Sequence, residues 1–223
     1  MTWVKICGTT SLHDAQLSVA AGTNALGFIF APSPRQVEVA LAAEVVAALP
    51  DGLEKIGVFV NESPERVAEI VAQVGLTGAQ LHGDEPAEQL QDFRKALGNR
   101  KIIKALQARE LLSASQETAT KYLRSPGGID AVLLDSGSSN QRGGTGVPFA
   151  WKEAAAVTAK IQGAVPLIIA GGLNAHNVGD ALRLFHPWGV DVVSGVEREP
   201  GRKDETKLRD FVAAVRREEA GVR

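Results

Sequence analysis

Val165-Pro166-Leu167-Ile168-Ile169-Ala170-Gly171-Gly172-Leu173-Asn174 is a short apolar run that ends on two glycines. A run of this length without polar alternation is buried on both faces, as in a parallel sheet, and the glycine pair marks the turn that leaves it. Downstream, Val178, Ala181, Leu182 and Phe185 recur at i, i+3, i+4 and i+7, which is one apolar stripe of an amphipathic helix. A second apolar run follows from Val190 to Val193. Strand, glycine turn, helix and strand in this order make a parallel βαβ unit, because parallel strands need a crossover long enough to hold a helix.

The same alternation extends outward through the chain. Further apolar runs lie at Trp3 to Ile6, Leu26 to Phe30, Ile56 to Val60, Ala79 to Leu81, Lys101 to Leu106 and Ala131 to Leu134. Helical stripes are clearest at Val67, Ile70, Val71 and Val74 and at Leu208, Phe211, Val212 and Val215. Ser63-Pro64 reads as an N-cap with proline in the first turn, Asn174 as the cap of the helix after the seventh strand, and Gly22 and Gly75 as helix ends. Eight strand–helix units in 223 residues predict a single-domain (β/α)8 TIM barrel spanning residues 1–223. Strand order is not written in the periodicity, so an open doubly wound sheet remains the alternative. The stretch Ser136 to Gly146 is the longest turn-rich segment, and Arg216 to Arg223 reads as a fraying, charged helix end.

Composition narrows the function classes. The net charge of -2 supplies no global basic field for nucleic acid or an anionic membrane, while a local cationic pocket for a small anion stays open. No apolar run approaches the ~20 residues of a membrane span, and Met1 leads directly into a strand-like run without a signal region. The lone Cys7 cannot form an intrachain disulfide, and no Cys/His set has zinc-site spacing. A cytoplasmic protein, monomer or homodimer, is expected.

In a barrel the active site lies at the C-terminal ends of the strands, which directs attention to a few residues. Cys7 ends the first strand, and the following Gly8 leaves the sulfur room to face a pocket. Strand alternation puts Trp3, Lys5 and Cys7 on one face. If that face is the interior, Lys5 favours the thiolate and Cys7 becomes a general base or nucleophile; Lys5 can equally pair with an interior carboxylate, and a single cysteine is ordinarily a small core residue. Asp135 closes an apolar strand that can raise its pKa enough for work as an acid, although an Asp at a strand end also serves as a turn residue.

Three glycine-rich points can offer backbone N–H groups to a phosphate: Gly143-Gly144-Thr145-Gly146, Gly171-Gly172 and Ser194-Gly195. The last two follow strands seven and eight, the usual phosphate position of this architecture. Arg35, in Ser33-Pro34-Arg35, has the fork for a substrate carboxylate or is simply a solvated surface residue. His82 alone among the four histidines terminates a strand, and His13, His176 and His186 fall in or beside helices. That distribution argues against a multi-histidine metal site.

Lys5-Ile6-Cys7-Gly8, Gly27-Phe28-Ile29-Phe30 with Ser33-Pro34-Arg35, Gln80-Leu81-His82-Gly83, Leu134-Asp135-Ser136, Gly143-Gly144-Thr145-Gly146, Ala170-Gly171-Gly172-Leu173-Asn174 and Ser194-Gly195-Val196-Glu197 form an ordered series over nearly the whole chain. The series resembles that of the phosphoribosylanthranilate isomerases. The resemblance implies an Amadori rearrangement of a phosphorylated aminosugar in tryptophan biosynthesis, with no cofactor and no metal. It further implies Asp135 as general acid, Cys7 as general base, and Arg35 holding the anthranilate carboxylate. Gly144, Thr145, Gly171, Gly172, Ser194 and Gly195 would hold the phosphate. His82 and Asp191 match substrate-pocket positions to which it assigns no role.

Two positions depart from the series: Val193 stands where a small polar residue is common, and Ala150 replaces an expected Asp. The related aminoaldose-ketose isomerase of histidine biosynthesis would carry a carboxylate where this chain has Cys7. A metal-dependent phosphosugar epimerase would need strand-end histidines. A non-catalytic phosphate-binding barrel or a thiol redox sensor would have no use for Asp135.

Overall fold

In the computed structural model, which describes residues 1–108, 121–122, 128–135, 151–158 and 165–221, each apolar run forms a strand. The strands are β1 (Trp3–Ile6), β2 (Ala25–Ile29), β3 (Glu54–Phe59), β4 (Gly78–Leu81), β5 (Lys101–Gln107), β6 (Ala131–Asp135), β7 (Leu167–Ile169) and β8 (Gly189–Val192). Each pairs in parallel with the next, and β8 returns to β1 with Trp3 opposite Gly189 and Lys5 opposite Asp191. That last pairing closes the barrel and removes the open-sheet alternative. β7 is shorter than the apolar run predicts, because Pro166 has no N–H to give and only its carbonyl is used, by the Val132 N–H.

The described helices are α1 (Leu12–Ala20), α2 (Val39–Ala47), α3 (Pro64–Val74), α4 (Leu90–Leu97), α5 (Trp151–Thr158), α6 (Val178–Phe185) and α7 (Glu205–Gly221). Their apolar stripes, including Val67 and Val71 of α3 and Leu208 and Phe211 of α7, share a core with outward strand residues such as Ile6, Phe28 and Leu81. Burying a side chain of this size is worth about 1.5 to 3 kcal/mol, so the outer layer supplies much of the driving force. Inside the barrel a separate cluster joins Trp3, Ile56, Ile103, Ala131, Leu133 and Ile168. The barrel is therefore a filled core rather than a channel.

Local signals hold at most helix ends. The Ser63 side chain accepts the Arg66 N–H, and Gly75 ends α3 with φ of 77°. Gly22, at φ 89°, lies just past the Ala21 C-cap of α1. Asn174 is not the cap of α6: that position is Asn177, while the Asn174 side chain accepts the His176 N–H and closes a turn ahead of the helix. Of the charged helix end from Arg216 to Arg223, α7 includes the residues to Gly221, and residues 222–223 lie outside the described residues. Arg216 anchors the helix by donating to the Thr2 carbonyl at 2.8 Å, and the Thr2 N–H donates to Glu219. A short hairpin, β9 (Glu197–Glu199) and β10 (Arg202–Lys203), follows β8. No helix among the described residues is long and apolar enough to cross a membrane.

Candidate active site

At the C-terminal ends of the strands a cavity of about 570 Å³ is lined by Cys7, Arg35, His82, Asp135, Gly171, Gly172, Asp191 and Ser194, among others. Its size suits a small-molecule ligand. A broader concavity of about 720 Å³, around Met1, Arg183 and Trp188, contains none of these groups. Residues 136–146, with Gly144 and Thr145, and also Ala150 lie outside the described residues.

The thiol of Cys7 is held on the interior face directly after β1, buried at 3% exposure. The residue that makes room for it is Gly27 on β2: a Cβ there would sit 2.4 Å from Sγ and 3.1 Å from the Cys7 Cα. Gly8, expected to do this, instead yields to Arg35, whose Cδ a Gly8 Cβ would meet at 2.8 Å. Gly27→Ala is accordingly expected to destabilise the fold by about 1 to 3 kcal/mol, the usual cost of overpacking, read from the urea midpoint. An unshifted midpoint would show that β1 and β2 can separate to admit the methyl group.

Lys5 lies beneath the thiol and is paired with an interior carboxylate as well. Its ammonium is fully buried and donates to Asp191 Oδ1 at 2.9 Å and to Gln80 Oε1 at 3.0 Å, while interacting with the Cys7 sulfur. Burial works against its charge, but Asp191 and Cys7 outweigh burial and hold the Lys5 pKa above its ordinary value. For the thiol the balance runs the other way: burial pushes Cys7 up, with Asp191 adding to it, against the pull of Lys5 and Lys203. The two lysines thus soften a desolvation penalty that would otherwise disfavour the thiolate further.

Asp135, the last residue of β6, faces His82 across the cavity wall, with His82 Nε2 3.4 Å from Asp135 Oδ2. The other ring nitrogen, Nδ1, is 2.8 Å from Gln80 Nε2. Gln80, Lys5 and Asp191 fill the interior above the apolar cluster, each no more than 5% exposed. A polar layer therefore separates the packed core from the cavity.

Arg35 reaches the cavity, but its guanidinium is already engaged. Nε lies 2.9 and 3.0 Å from the two Glu197 oxygens and Nη2 is 2.7 Å from Oε2, which occupies one edge of the fork. The edge between Nη1 and Nη2 is the one left for a ligand carboxylate. Burial opposes the charge on Glu197, yet Arg35 and Lys203 hold its carboxyl below the usual range. Lys203 joins this group to the thiol by donating to Glu197 Oε1 at 3.2 Å and to the Cys7 carbonyl at 2.6 Å.

Gln80, Glu197 and Lys203 were not singled out by sequence reasoning. Gln80 and Glu197 do stand inside the ordered motif series, and the alternation of β4 aims Gln80 inward with no apolar partner to explain it. Lys203 has no such signal. On the phosphate side, Gly171 and Gly172 line the cavity at φ of 81° and 69°, which L side chains rarely adopt. Gly195 is where the loops after β7 and β8 touch, since a Cβ there would lie 1.9 Å from the Leu173 carbonyl oxygen. Val193 forms part of the cavity wall.

A closed parallel barrel with ionisable side chains gathered around a cavity at the strand C-termini defines a (β/α)8-barrel enzyme acting on a small molecule. Residues 4–214 match the family model described as N-(5'phosphoribosyl)anthranilate (PRA) isomerase, and the chain belongs to that family. It is 42% identical over 213 residues to the N-(5'-phosphoribosyl)anthranilate isomerase of Pelobacter propionicus, covering 95% of this chain and 94% of the relative. The crystal structure of the Thermus thermophilus phosphoribosyl anthranilate isomerase matches with a TM-score of 0.82 at 33% identity, covering 100% of both chains. A further solved structure is similar at a TM-score of 0.78 and 32% identity, covering 97% of this chain and 99% of its own. It is a phosphoribosyl anthranilate isomerase in complex with reduced 1-(o-carboxyphenylamino)-1-deoxyribulose 5-phosphate.

Proposed function

We propose that this chain converts N-(5'-phosphoribosyl)anthranilate to 1-(2-carboxyphenylamino)-1-deoxyribulose 5-phosphate, a step of tryptophan biosynthesis, with Asp135 as general acid and Cys7 as general base. The observation that carries the residue assignment is that the thiol, directly after β1, and the carboxyl, at the end of β6, open on one cavity. Asp135 gives its proton to the furanose ring oxygen as the C1'–O bond breaks, and the anthranilate nitrogen lone pair forms the C1'=N bond. Cys7 thiolate then removes the C2' proton, and the released electrons make the C1'=C2' enolamine. Loss of the enol proton and gain of one at C1' complete the isomerisation with no net proton or electron exchanged. A base that must remain a free thiol suits the reducing cytoplasm.

The phosphate fits beside Gly171, Gly172, Ser194 and Gly195; Gly144 and Thr145, the other phosphate contacts that the resemblance implies, lie outside the described residues. Arg35 takes the anthranilate carboxylate on its free edge, and Asp191 holds Lys5 beneath the thiol. Arg35→Ala is expected to raise KM by the worth of hydrogen bonds to a charged group, about 1.5 to 3 kcal/mol, or roughly 10- to 150-fold. Lys at this position is not equivalent, because it lacks the planar fork. Unchanged KM in both variants would remove Arg35 from the site. The activity itself is tested with purified protein and substrate generated in situ: loss of substrate fluorescence must exceed the uncatalysed background.

A further inference from the structure

We propose that Gln80 sets the tautomer of His82, and through it aligns Asp135 for proton delivery; this rests on the reading of Asp135 as the acid. Donors and acceptors fix the order of protons along one chain of side chains. A lysine ammonium can only donate, so the Gln80 atom 3.0 Å from Lys5 Nζ is the amide oxygen. That choice turns the amide nitrogen toward His82 Nδ1, 2.8 Å away. An amide nitrogen also only donates, so Nδ1 accepts and carries no proton. The ring is then neutral, with its proton on Nε2, facing Asp135 Oδ2 at 3.4 Å.

The consequences concern Asp135. At 3.4 Å this N–H lies outside hydrogen-bonding geometry, and its dipole beside Oδ2 acts on the carboxyl electrostatically, favouring the transferable proton on Oδ1. After transfer, the same N–H stabilises the carboxylate that forms. The opposite tautomer would place a lone pair against Oδ2 and draw the acid's proton away from the substrate. The amide cannot turn over to permit this, because Gln80 is 1% exposed and a flip would set its NH2 against the Lys5 ammonium. Lys5, itself fixed by Asp191, thereby serves both ends of the reaction: it lies beside the Cys7 sulfur and polarises the amide that orients His82. Gln80 touches neither substrate nor reacting atoms in this scheme, and it is a positioning residue.

Nitrogen-15 spectra of histidine-labelled protein without ligand read the tautomer directly, with His82 assigned by its loss in His82→Gln. Wild type is expected to show a bare Nδ1 and a protonated Nε2; a protonated Nδ1 would overturn the proposal. In Gln80→Glu the second carboxylate oxygen becomes an acceptor, so Nδ1 should gain a proton while kcat falls about 10- to 100-fold and KM changes less than about twofold. Gln80→Met, which brings no charge, should lower kcat similarly and guards against misfolding of the carboxylate variant. An unaltered tautomer in Gln80→Glu, or an inverted one with full kcat, would also overturn the positioning role. Absence of turnover in wild type would instead sink the functional reading, and the spectra would still decide the tautomer.

Discussion

Asp135→Asn is expected to lower kcat by about 10²- to 10⁴-fold, the usual worth of a positioned acid, with KM changed far less. The substitution keeps the shape of the side chain at the end of β6 and removes the only proton it can deliver to a ring oxygen. The amide has the shape of the carboxyl and its oxygen can take the place of Oδ2 facing His82, so the local structure should survive and the thermal midpoint should move little. A steady-state assay at saturating substrate measures the effect. An unaltered rate would mean that the ring oxygen receives its proton from another group, and Asp135 would lose its assignment.

Cys7→Ser should cost a comparable factor, about 10²- to 10⁴-fold in kcat, because a hydroxyl is a far poorer base than a thiol of ordinary pKa near 8.5. The pH profile separates this variant from the first. Burial raises the Cys7 thiol, and Lys5, Asp191 and Lys203 are the charged groups that act on it. When the thiol titrates above the carboxyl, the reactive pair of thiolate and carboxylic acid is the minor protonation form. The profile of kcat/KM is still a bell: it rises on the acid side because the thiol must ionise, and falls on the alkaline side because the carboxyl must keep its proton. Shape alone therefore does not identify the groups. The variants do: the acid limb should vanish in Cys7→Ser and the alkaline limb in Asp135→Asn. A fully active Cys7→Ser enzyme would show that a different base removes the C2' proton.

The barrel's strands and helix faces were legible in the sequence because each depends on short-range periodicity. All eight apolar runs became strands, and the stripes of α3, α6 and α7 are buried as their spacing requires. Cys7, His82 and Asp135 were also legible as strand-end residues, since in this architecture the end of a strand is a statement about the mouth. The misplaced cap at Asn174 shows the limit of local signals. Asn174 and Asn177 are both good capping residues, and the choice between them lies in the turn that precedes α6.

By itself, then, the sequence determined which segments are strands and helices, which side chains sit at strand ends, and the family to which their order belongs. Tertiary structure alone decided that the sheet closes, because closure is a pairing of β1 with β8 across almost the whole chain. It also decided that Gly27, not Gly8, shelters the thiol, and that one edge of Arg35 is spent on Glu197, 162 residues away. The joining of Gln80 to both Lys5 and His82 belongs to the same class of fact. Periodicity encodes which face of an element is buried, but not which distant charge or hydrogen-bonding group will meet it there; that is set by how the closed barrel brings the strand ends together.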